Sequence, residues 1–297
     1  MLHTHLGEIA ALLTAAFWTT TALSFEIAGK RVGSLPVNLI RLFFGFGFIS
    51  AYSLLSRGMF LPLDASSHAW IWLSLSGLIG FVIGDLLLFR AFVLIGSRIS
   101  MLIMSAVPPL TALIGWLFLG ETLSAKHLVG MSITIAGIAM VVLKESGTSS
   151  PTHSLNIPGY LCATGGALGQ AVGLVLSKFG MESYNAFAAT QIRIIAGLIG
   201  FVSVFVFRNE WHRVFLAFRD RRAMLFLTIG SFFGPFLGVS FSLIAVQHTA
   251  TGIASTIMSI VPILIIPPAV IFLKEHVSIR EVIGAVIAVI GIAMMFV

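Results

Sequence analysis

The feature that most constrains this chain is an internal repeat. The stretch Met104–Leu143 recurs from Met258 onward at one offset of about 154 residues, without a gap. Roughly 20 of about 67 aligned positions are identical when the alignment is extended backward from this stretch. The matched residues keep their order: Gly80, Gly84, Pro108, Glu121, Ser124, Gly130 and Gly137 return as Gly234, Gly238, Pro262, Glu275, Ser278, Gly284 and Gly291. Two similar halves are therefore expected.

The composition places these halves in a membrane. Of the 297 residues, 58% are hydrophobic and 9% are charged, whereas a soluble domain carries about 25% charged residues. The net charge of +6 then indicates basic loops facing the cytoplasm and not a nucleic-acid partner. Cys162 is the one cysteine, so no intramolecular disulfide can form. The N-terminus lacks a basic region, so its apolar run is expected to be kept as a first span.

Apolar stretches of about 20 residues predict ten transmembrane helices. The predicted spans are about 6–28, 36–56, 69–92, 97–119, 125–143, 157–178, 185–207, 223–247, 251–273 and 278–297. We expect a first five-helix repeat over residues 1–145, a Ser- and Pro-containing linker over 146–156, and a second repeat over 157–297.

An odd number of spans in each half decides the architecture. A half that crosses five times leaves the chain on the opposite face, so the second half inserts upside down. The predicted fold is an all-α membrane protein with two inverted five-helix repeats around a central cavity. Basic residues concentrate on one side, above all between Arg208 and Arg222, while the other side holds Arg57, Lys126 and Lys178. This bias predicts both termini outside the cell.

The order of these features resembles the EamA branch of the drug/metabolite transporter superfamily. Gly120, Glu121, Gly130 and Gly137 match the family's repeat signature, Glu275, Gly284 and Gly291 match it again with Lys274 in place of a Gly, and Trp18, Arg41 and Arg193 are similar to the family pattern. The resemblance implies a ten-helix basket with a central cavity, alternating access and no catalytic chemistry. It also implies substrates such as amino acids, metabolites or drugs.

Asp85 is the most informative polar residue within the spans. It lies in an apolar run well away from either loop, and Arg90 is five residues along the helix, about 140° around it and poorly placed to pair. Intramembrane ionisable residues are costly and often functional. Asp85 is therefore either a site for a substrate amine or a proton, or one half of a buried ion pair with Arg41 or Arg193.

Four further residues complete the predicted substrate site. Arg41 and Arg193 are expected on opposite faces of the membrane in an inverted repeat, in gate or substrate-entry roles, unless they snorkel to the interface. Trp18 and Gln170 align across the repeats, and Trp18 shares a helix face with hydroxyl-bearing residues. Such a face suits either a cavity lining or ordinary helix packing.

Pro108 and Pro262 are predicted to act as gates. Each follows a Ser by three residues, Ser105 and Ser259. Proline removes a backbone hydrogen bond and bends or opens a helix. A bend repeated in an inverted pair would let one half close while the other opens, although the prolines could equally shape a static basket.

The sequence thus predicts a secondary transporter that exports small polar metabolites, amino acids or related compounds, across the inner (plasma) membrane. The expected partners are a small-molecule substrate and the lipid bilayer, with a coupling proton or other ion left open. We expect a monomer or homodimer that needs no cofactor, metal or nucleic acid. The alternatives are a drug or cationic-compound exporter attracted by Asp85, and a polytopic membrane enzyme or sensor.

Overall fold

The computed structural model is all-helical over the residues that it describes, which are 5–104, 106–142, 157–264, 267 and 279–296. The helices are α1 (Leu6–Val32), α2 (Ser34–Arg57), α3 (Ser67–Gly77), π1 (Leu78–Gly84), α4 (Asp85–Met104), α5 (Val107–Leu119), α6 (Ala125–Val142), α7 (Ile157–Met181), α8 (Ala186–Arg208), α9 (Trp211–Arg219), α10 (Arg221–Ser231), π2 (Phe232–Gly238), α11 (Val239–His248), α12 (Thr251–Met258), α13 (Val261–Leu264) and α14 (Ile279–Phe296). The linker 146–156, Ser105, Glu275 and the end of the predicted ninth span lie outside the described residues.

Several helical ranges have the length and composition of membrane spans. Six qualify among the described residues: Leu6–Val32, Ser34–Arg57, Ser67–Ala91, Ile157–Met181, Ala186–Arg208 and Arg221–His248. Shorter apolar helices occupy Val107–Leu119, Ala125–Met140 and Val282–Met294. The outward side chains of the long spans include Leu55 of α2 and Phe207 of α8. Each is 88% exposed, which an aqueous surface would disfavour. The chain is a multi-pass membrane protein.

Spans three and four differ from the sequence prediction. The prediction placed a connection near residues 93–96, but helix runs without interruption from Ser67 to Met104 through α3, π1 and α4. The interruption comes later, where Ala106 forms a turn before α5 begins at Val107. The predicted loop between spans seven and eight is also partly wrong, because it contains the amphipathic helix α9, whose Val214 and Ala217 are buried.

Two π-helical segments recur at the offset of the sequence repeat. Leu78–Gly84 in the first half corresponds to Phe232–Gly238 in the second. The helices that lead into them start at equivalent caps, since Ser66 accepts a hydrogen bond from the Ala69 nitrogen and Asp220 accepts one from the Ala223 nitrogen. The repeat therefore extends to backbone details that the aligned residues alone did not indicate.

The two halves interlock helix by helix. In the described part of the chain, α1 packs against α10 and α11 of the second half, and α7 packs against α3 and α4 of the first. Equivalent helices also meet directly, since α2 packs on α8 and α6 on α14, and α5 of the first half packs on α12 of the second. Any space at the centre is consequently bounded by both halves.

Glycines allow the closest of these contacts, between α6 and α14. A methyl group on Gly137 would lie 2.5 Å from the Ala288 nitrogen, and one on Gly291 would lie 2.6 Å from the Thr134 nitrogen. The Thr134 hydroxyl donates to its own Gly130 carbonyl at 2.8 Å. Small residues that let two backbones approach are the usual means of packing helices in lipid.

Candidate functional site

A cavity of about 300 Å³ lies between the halves. Its wall includes all five residues predicted to bind substrate, which are Trp18, Arg41, Asp85, Gln170 and Arg193. The volume lies at the lower end of the ~300–1,000 Å³ typical of small-molecule sites. The structure thus brings the predicted residues together, while their role in binding stays a prediction.

Asp85 is the centre of a hydrogen-bonded network. Its Oδ2 accepts from Arg41 Nη2, and its Oδ1 accepts from Gln170 Nε2 at 2.7 Å. Arg41 and Asp85 come from the first half and Gln170 comes from the second. The residues Arg41 and Asp85 are 9% and 6% exposed, so the pair is buried. The ion pair with Arg41, one of the interpretations left open by the sequence, is present in the structure, while a role of Asp85 in binding a substrate or a proton stays a prediction.

Phe81 organises the two arginines. The Arg193 guanidinium carbon lies 4.8 Å from the centre of the Phe81 ring, and that of Arg41 lies 6.0 Å from the same ring. Both distances fall within the range of cation–π interactions. The expectation that Arg41 and Arg193 occupy opposite faces of the membrane is therefore wrong, because one ring contacts both.

Glycines in α3 and π1 make room for Arg193. The Gly77 backbone contacts the Arg193 backbone so closely that a side chain could not fit, and a methyl group at Gly80 would lie 3.4 Å from Arg193 Nη2. Gly84 and Gly169 likewise let π1 approach α7, where Gln170 is located. Because Gly77, Gly80 and Gly84 lack side chains, α8 and α7 can pack close to the helix that carries the Asp85 carboxylate.

Trp18 lies on the side of the cavity formed by α1. A methyl group at Gly238 would come within 2.7 Å of the Trp18 ring, so π2 packs directly on it. Thr21, one turn along, donates to the Phe17 carbonyl at 2.9 Å and is 3.4 Å from the Gly230 carbonyl. Part of the hydroxyl face predicted from the sequence is thus committed to backbone carbonyls, and Trp18 lies beside the cavity.

The two prolines predicted as gates follow interruptions in their helices. Pro108 is the second residue of α5 and Pro262 the second residue of α13, after turns at Ala106 and at residues 259–260. A proline is tolerated in the first turn of a helix, where its missing N–H is not needed. Neighbouring Val107 and Val261 line the cavity. Ser259 donates to the Thr256 carbonyl at 2.8 Å, while Ser105 lies outside the described residues.

The sequence did not indicate a second polar cluster, which we call the Glu121 latch and define as Glu121, Lys178, Thr249 and Thr251. Lys178 Nζ donates to Glu121 Oε1 and to the Thr249 carbonyl, both at 2.7 Å. Glu121 Oε2 accepts from the Thr251 nitrogen at 2.9 Å and from its hydroxyl at 2.7 Å. The latch joins the first half to the second.

Sequence signals for the missed residues are weak. Phe81 is four residues before Asp85, hence on the same helix face, but aromatic residues are abundant in this chain. Lys178 is a cation near the end of an apolar helix, which ordinarily marks a loop. Glu121 was noticed as part of a family pattern, without a partner.

Comparisons with known proteins bear on the same architecture. A sequence model described as the EamA-like transporter family matches residues 5–143 and again residues 157–297. No curated protein matches the chain. One solved structure, titled "Crystal structure of protein", superimposes with a TM-score of 0.75 at 19% identity, over 97% of this chain and 96% of its own. At that identity the likeness concerns the fold.

Proposed function

Because the chain belongs to the EamA-like transporter family, we propose that it is a secondary transporter that exports small polar metabolites, amino acids or related compounds, by alternating access. The observation that carries the proposal is the Arg41–Asp85–Gln170 network in the cavity wall. Buried charges within a membrane are costly, and they usually mark a substrate or ion pathway. Here they sit where both halves of the molecule meet.

The contacts between α6 and α14 support an inverted repeat. Gly137 approaches Gly284, the counterpart of Gly130, and Gly291 approaches Gly130 itself. The Thr134 hydroxyl lies 3.4 Å from the carbonyl of its own counterpart, Ala288. Contacts that run in opposite order along two equivalent helices are those of an antiparallel pair about a twofold axis. Ten spans in two inverted halves follow on this proposal.

The breaks before Pro108 and Pro262 support the proposed gating. Each break separates a helix that lines the cavity from the short helix that follows, at equivalent positions of the two halves. A one-turn interruption can change its angle at lower cost than a continuous helix. In this mechanism the two breaks bend alternately, and the cavity opens to one face at a time.

The proposal places the protein in the inner membrane with both termini outside. The positively charged segment from Arg208 to Arg222, which includes α9, is then cytoplasmic. A proton, another ion or the substrate gradient itself would drive transport.

The alternative substrate class is a drug or cationic compound attracted by Asp85. Asp85 is the one carboxylate among the described residues of the cavity wall. However, Arg41 and Gln170 already occupy both of its oxygens. A cation would have to displace Arg41, which makes this class the less favoured of the two.

A comparison of metabolites inside and outside cells tests the transport function. Cells would express the unaltered protein, the double variant Arg41→Gln/Asp85→Asn, or the control Arg31→Gln/Asp220→Asn. Both variants remove one ion pair, but the control pair is partly exposed, with Arg31 Nε 2.7 Å from Asp220 Oδ2. Removing both partners avoids the ~3–5 kcal/mol cost of leaving one buried charge alone.

We expect at least one small polar metabolite to accumulate outside cells that express the unaltered protein or the control variant. The double variant should abolish that difference while it retains normal expression and thermal stability in detergent. Identical metabolite pools in all cells, with and without the protein, would contradict export. Normal export by the double variant would remove the network from the mechanism.

A further inference from the structure

Arg193 is the buried cation that the network leaves without an acceptor. The residue is 5% exposed, and its Nε is buried with no hydrogen-bond partner. No hydrogen bond joins its guanidinium to another residue in the described part of the chain. Its interaction with Asp85 is electrostatic, without direct contact. An arginine stays protonated in proteins, so this group keeps its charge.

The neighbouring carboxylate cannot satisfy Arg193 as well. Both oxygens of Asp85 already accept hydrogen bonds, from Arg41 and from Gln170. The described cavity wall holds two arginines and this one carboxylate, which leaves a net charge of +1. A buried charge without a counter-ion is strongly unfavourable. The missing partner is therefore expected to be a single negative charge.

The geometry of Arg193 suits a planar anion. The Arg193 guanidinium carbon lies over the Phe81 ring, 4.8 Å from its centre. The N–H donors of a guanidinium point outward in its own plane, and those of Arg193 donate to no protein group in the described part of the chain. Such a fork matches the two oxygens of a carboxylate. The cavity beside it is bordered by the apolar and aromatic side chains of Leu174 and Trp18.

We propose that Arg193 binds the carboxylate of the transported molecule, and that the preferred substrates are small organic monoanions with a compact apolar or weakly polar body. This inference rests on the proposed transport function and restricts its substrates to small carboxylates, which excludes the zwitterionic amino acids. A net charge of +1 is neutralised by one carboxylate, whereas a phosphate dianion would reverse the charge of the cavity. A cation would meet two arginines, and a zwitterion would bring an ammonium group for which the described wall holds no free carboxylate.

Equilibrium binding to the purified full chain in lipid nanodiscs tests the charge preference. The anionic probes are benzoate and phenylacetate. They are compared with benzamide, which is neutral, with benzylamine, which is cationic, with phenylalanine, which is a zwitterion, and with phenyl phosphate. We expect the two monocarboxylates to bind at least tenfold more tightly than any of the others.

Variants assign that preference to Arg193. Arg193→Gln removes the charge, and Arg193→Lys keeps the charge but lacks the fork. We expect both to lose at least tenfold in benzoate affinity, with benzamide affinity unchanged. The control is Arg208→Gln at the end of the same helix, where the side chain is 60% exposed, and it should bind benzoate normally. If Arg193→Gln does not fold, Arg193→Lys alone decides.

Each other outcome overturns the inference. It is wrong if neither monocarboxylate binds, if benzylamine, phenylalanine or phenyl phosphate binds as tightly as benzoate, or if folded Arg193→Lys retains normal benzoate affinity. Flux of the same probes into proteoliposomes separates this result from the function itself. Benzoate binding without flux of any solute would contradict the transport function and leave the anion site intact. Flux of cations alone would support the transport function and contradict the anion site.

Discussion

The two halves share a sequence pattern but differ in backbone at one equivalent position. In the first half, α4 passes through Leu94–Gly96 as unbroken helix. In the second half, helix ends at His248 and resumes at Thr251, with Thr249 and Ala250 extended. We call this second segment the elbow. Gly96, which is the poorer helix former, lies in the straight helix, so local propensity does not explain the difference.

Tertiary contacts explain it. At the elbow, the Glu121 carboxylate caps the start of α12 by accepting from the Thr251 nitrogen. The Lys178 ammonium donates a hydrogen bond to the carbonyl of Thr249, at the end of α11. An anion at a helix N-terminus and a cation at a helix C-terminus both oppose the helix dipole favourably. Gly7 of α1 also packs on Thr249, where a methyl group would lie 2.9 Å from its Cβ.

The difference teaches that one repeat unit can adopt two backbone states. In an inverted pair, the half with the elbow and the half with the straight helix face opposite sides of the membrane. If the first half adopted the elbow and the second half adopted the straight helix, the cavity would close on the other side of the membrane. On this hypothesis the Glu121 latch stabilises one of two states.

The largest effect is expected from Glu121→Ala. It removes a helix cap, worth ~1 kcal/mol, and one partner of a mostly buried ion pair, whose loss costs ~3 kcal/mol or more when burial is complete. Because Lys178 keeps 25% exposure, we expect destabilisation of about 2 kcal/mol. Thermal unfolding in detergent measures it. Glu182→Ala is the control, because the Glu182 side chain is 73% exposed. Equal thermal stability of the two variants would mean that the Glu121 latch does not stabilise the protein.

The next effect is expected from the prolines. Pro108→Ala and Pro262→Ala each allow a helix to continue across its break, which should change the ratio of the two states by about fivefold, or about 1 kcal/mol. Pro109 follows Pro108 and remains as a helix breaker, so Pro262→Ala should act more strongly.

Reactivity of single cysteines placed at each end of the cavity measures these proline variants. The two substitutions should shift reactivity toward opposite faces. Shifts toward the same face, or none in either variant, would show that the prolines shape the fold without gating it.

A smaller effect is expected where the halves differ, at Gly96. Gly96→Ala should stabilise the straight helix by about 0.5–1 kcal/mol, because alanine loses less entropy than glycine in a helix. The melting temperature should rise by a few degrees and the transport rate should fall. Ala250→Gly at the elbow is the matched change and should do little, since Ala250 is an N-cap with extended backbone. A decreased melting temperature for Gly96→Ala would contradict the straight helix.

The smallest effect concerns the two equivalent caps, Asp220 and Ser66. Hydrogen bonding from the Ala223 backbone, and then from Arg31, holds the pKa of Asp220 below its ordinary value of 3.8. A lowered pKa in the folded state means that this contribution to stability is complete above about pH 4 and is lost as pH falls through the folded pKa.

Exchanging the caps tests that pH dependence. Asp220→Ser retains a cap but should remove part of the loss of melting temperature between pH 5 and pH 3. Ser66→Asp should add a loss of the same kind. Identical acid profiles for all three proteins would contradict the assignment.

Much of the fold was predictable because it depends on local hydrophobicity and on the repeat. All described residues of two predicted spans, 125–142 and 279–296, are helical, for example. The continuous helix through Gly96 was not predictable, because Gly-Ser dipeptides ordinarily end helices. The sequence Ser278-Ile279-Arg280-Glu281 also predicts a capping box, and its Ser278 lies outside the described residues. At the equivalent Ser124, the backbone nitrogen of His127 donates to the Ser124 hydroxyl at 3.3 Å, as in a helix N-cap.

The site was predictable as a set of residues but not as an arrangement. Polar residues in apolar spans identified Asp85, Arg41, Arg193 and Gln170 because such residues are rare there. Their pairing depends on which helices meet, and Gln170 is 85 residues from its acceptor. The latch was beyond prediction for the same reason, since Thr251 is 130 residues from Glu121.

The π1 segment sets the direction in which Asp85 points. A π turn holds one more residue than an α turn, and each residue rotates the chain by about 100°. If the same seven residues were wound as an ordinary α-helix, Asp85 would turn by about that angle, away from Arg41 and Gln170. The cavity of this protein therefore depends on how a helix is wound as well as on its residues. A change that converts π1 to α-helix at unchanged length would disconnect the network and leave every charged side chain in place, whereas deletion of one residue, such as the exposed Ile83, would restore α-helix and keep Asp85 in register.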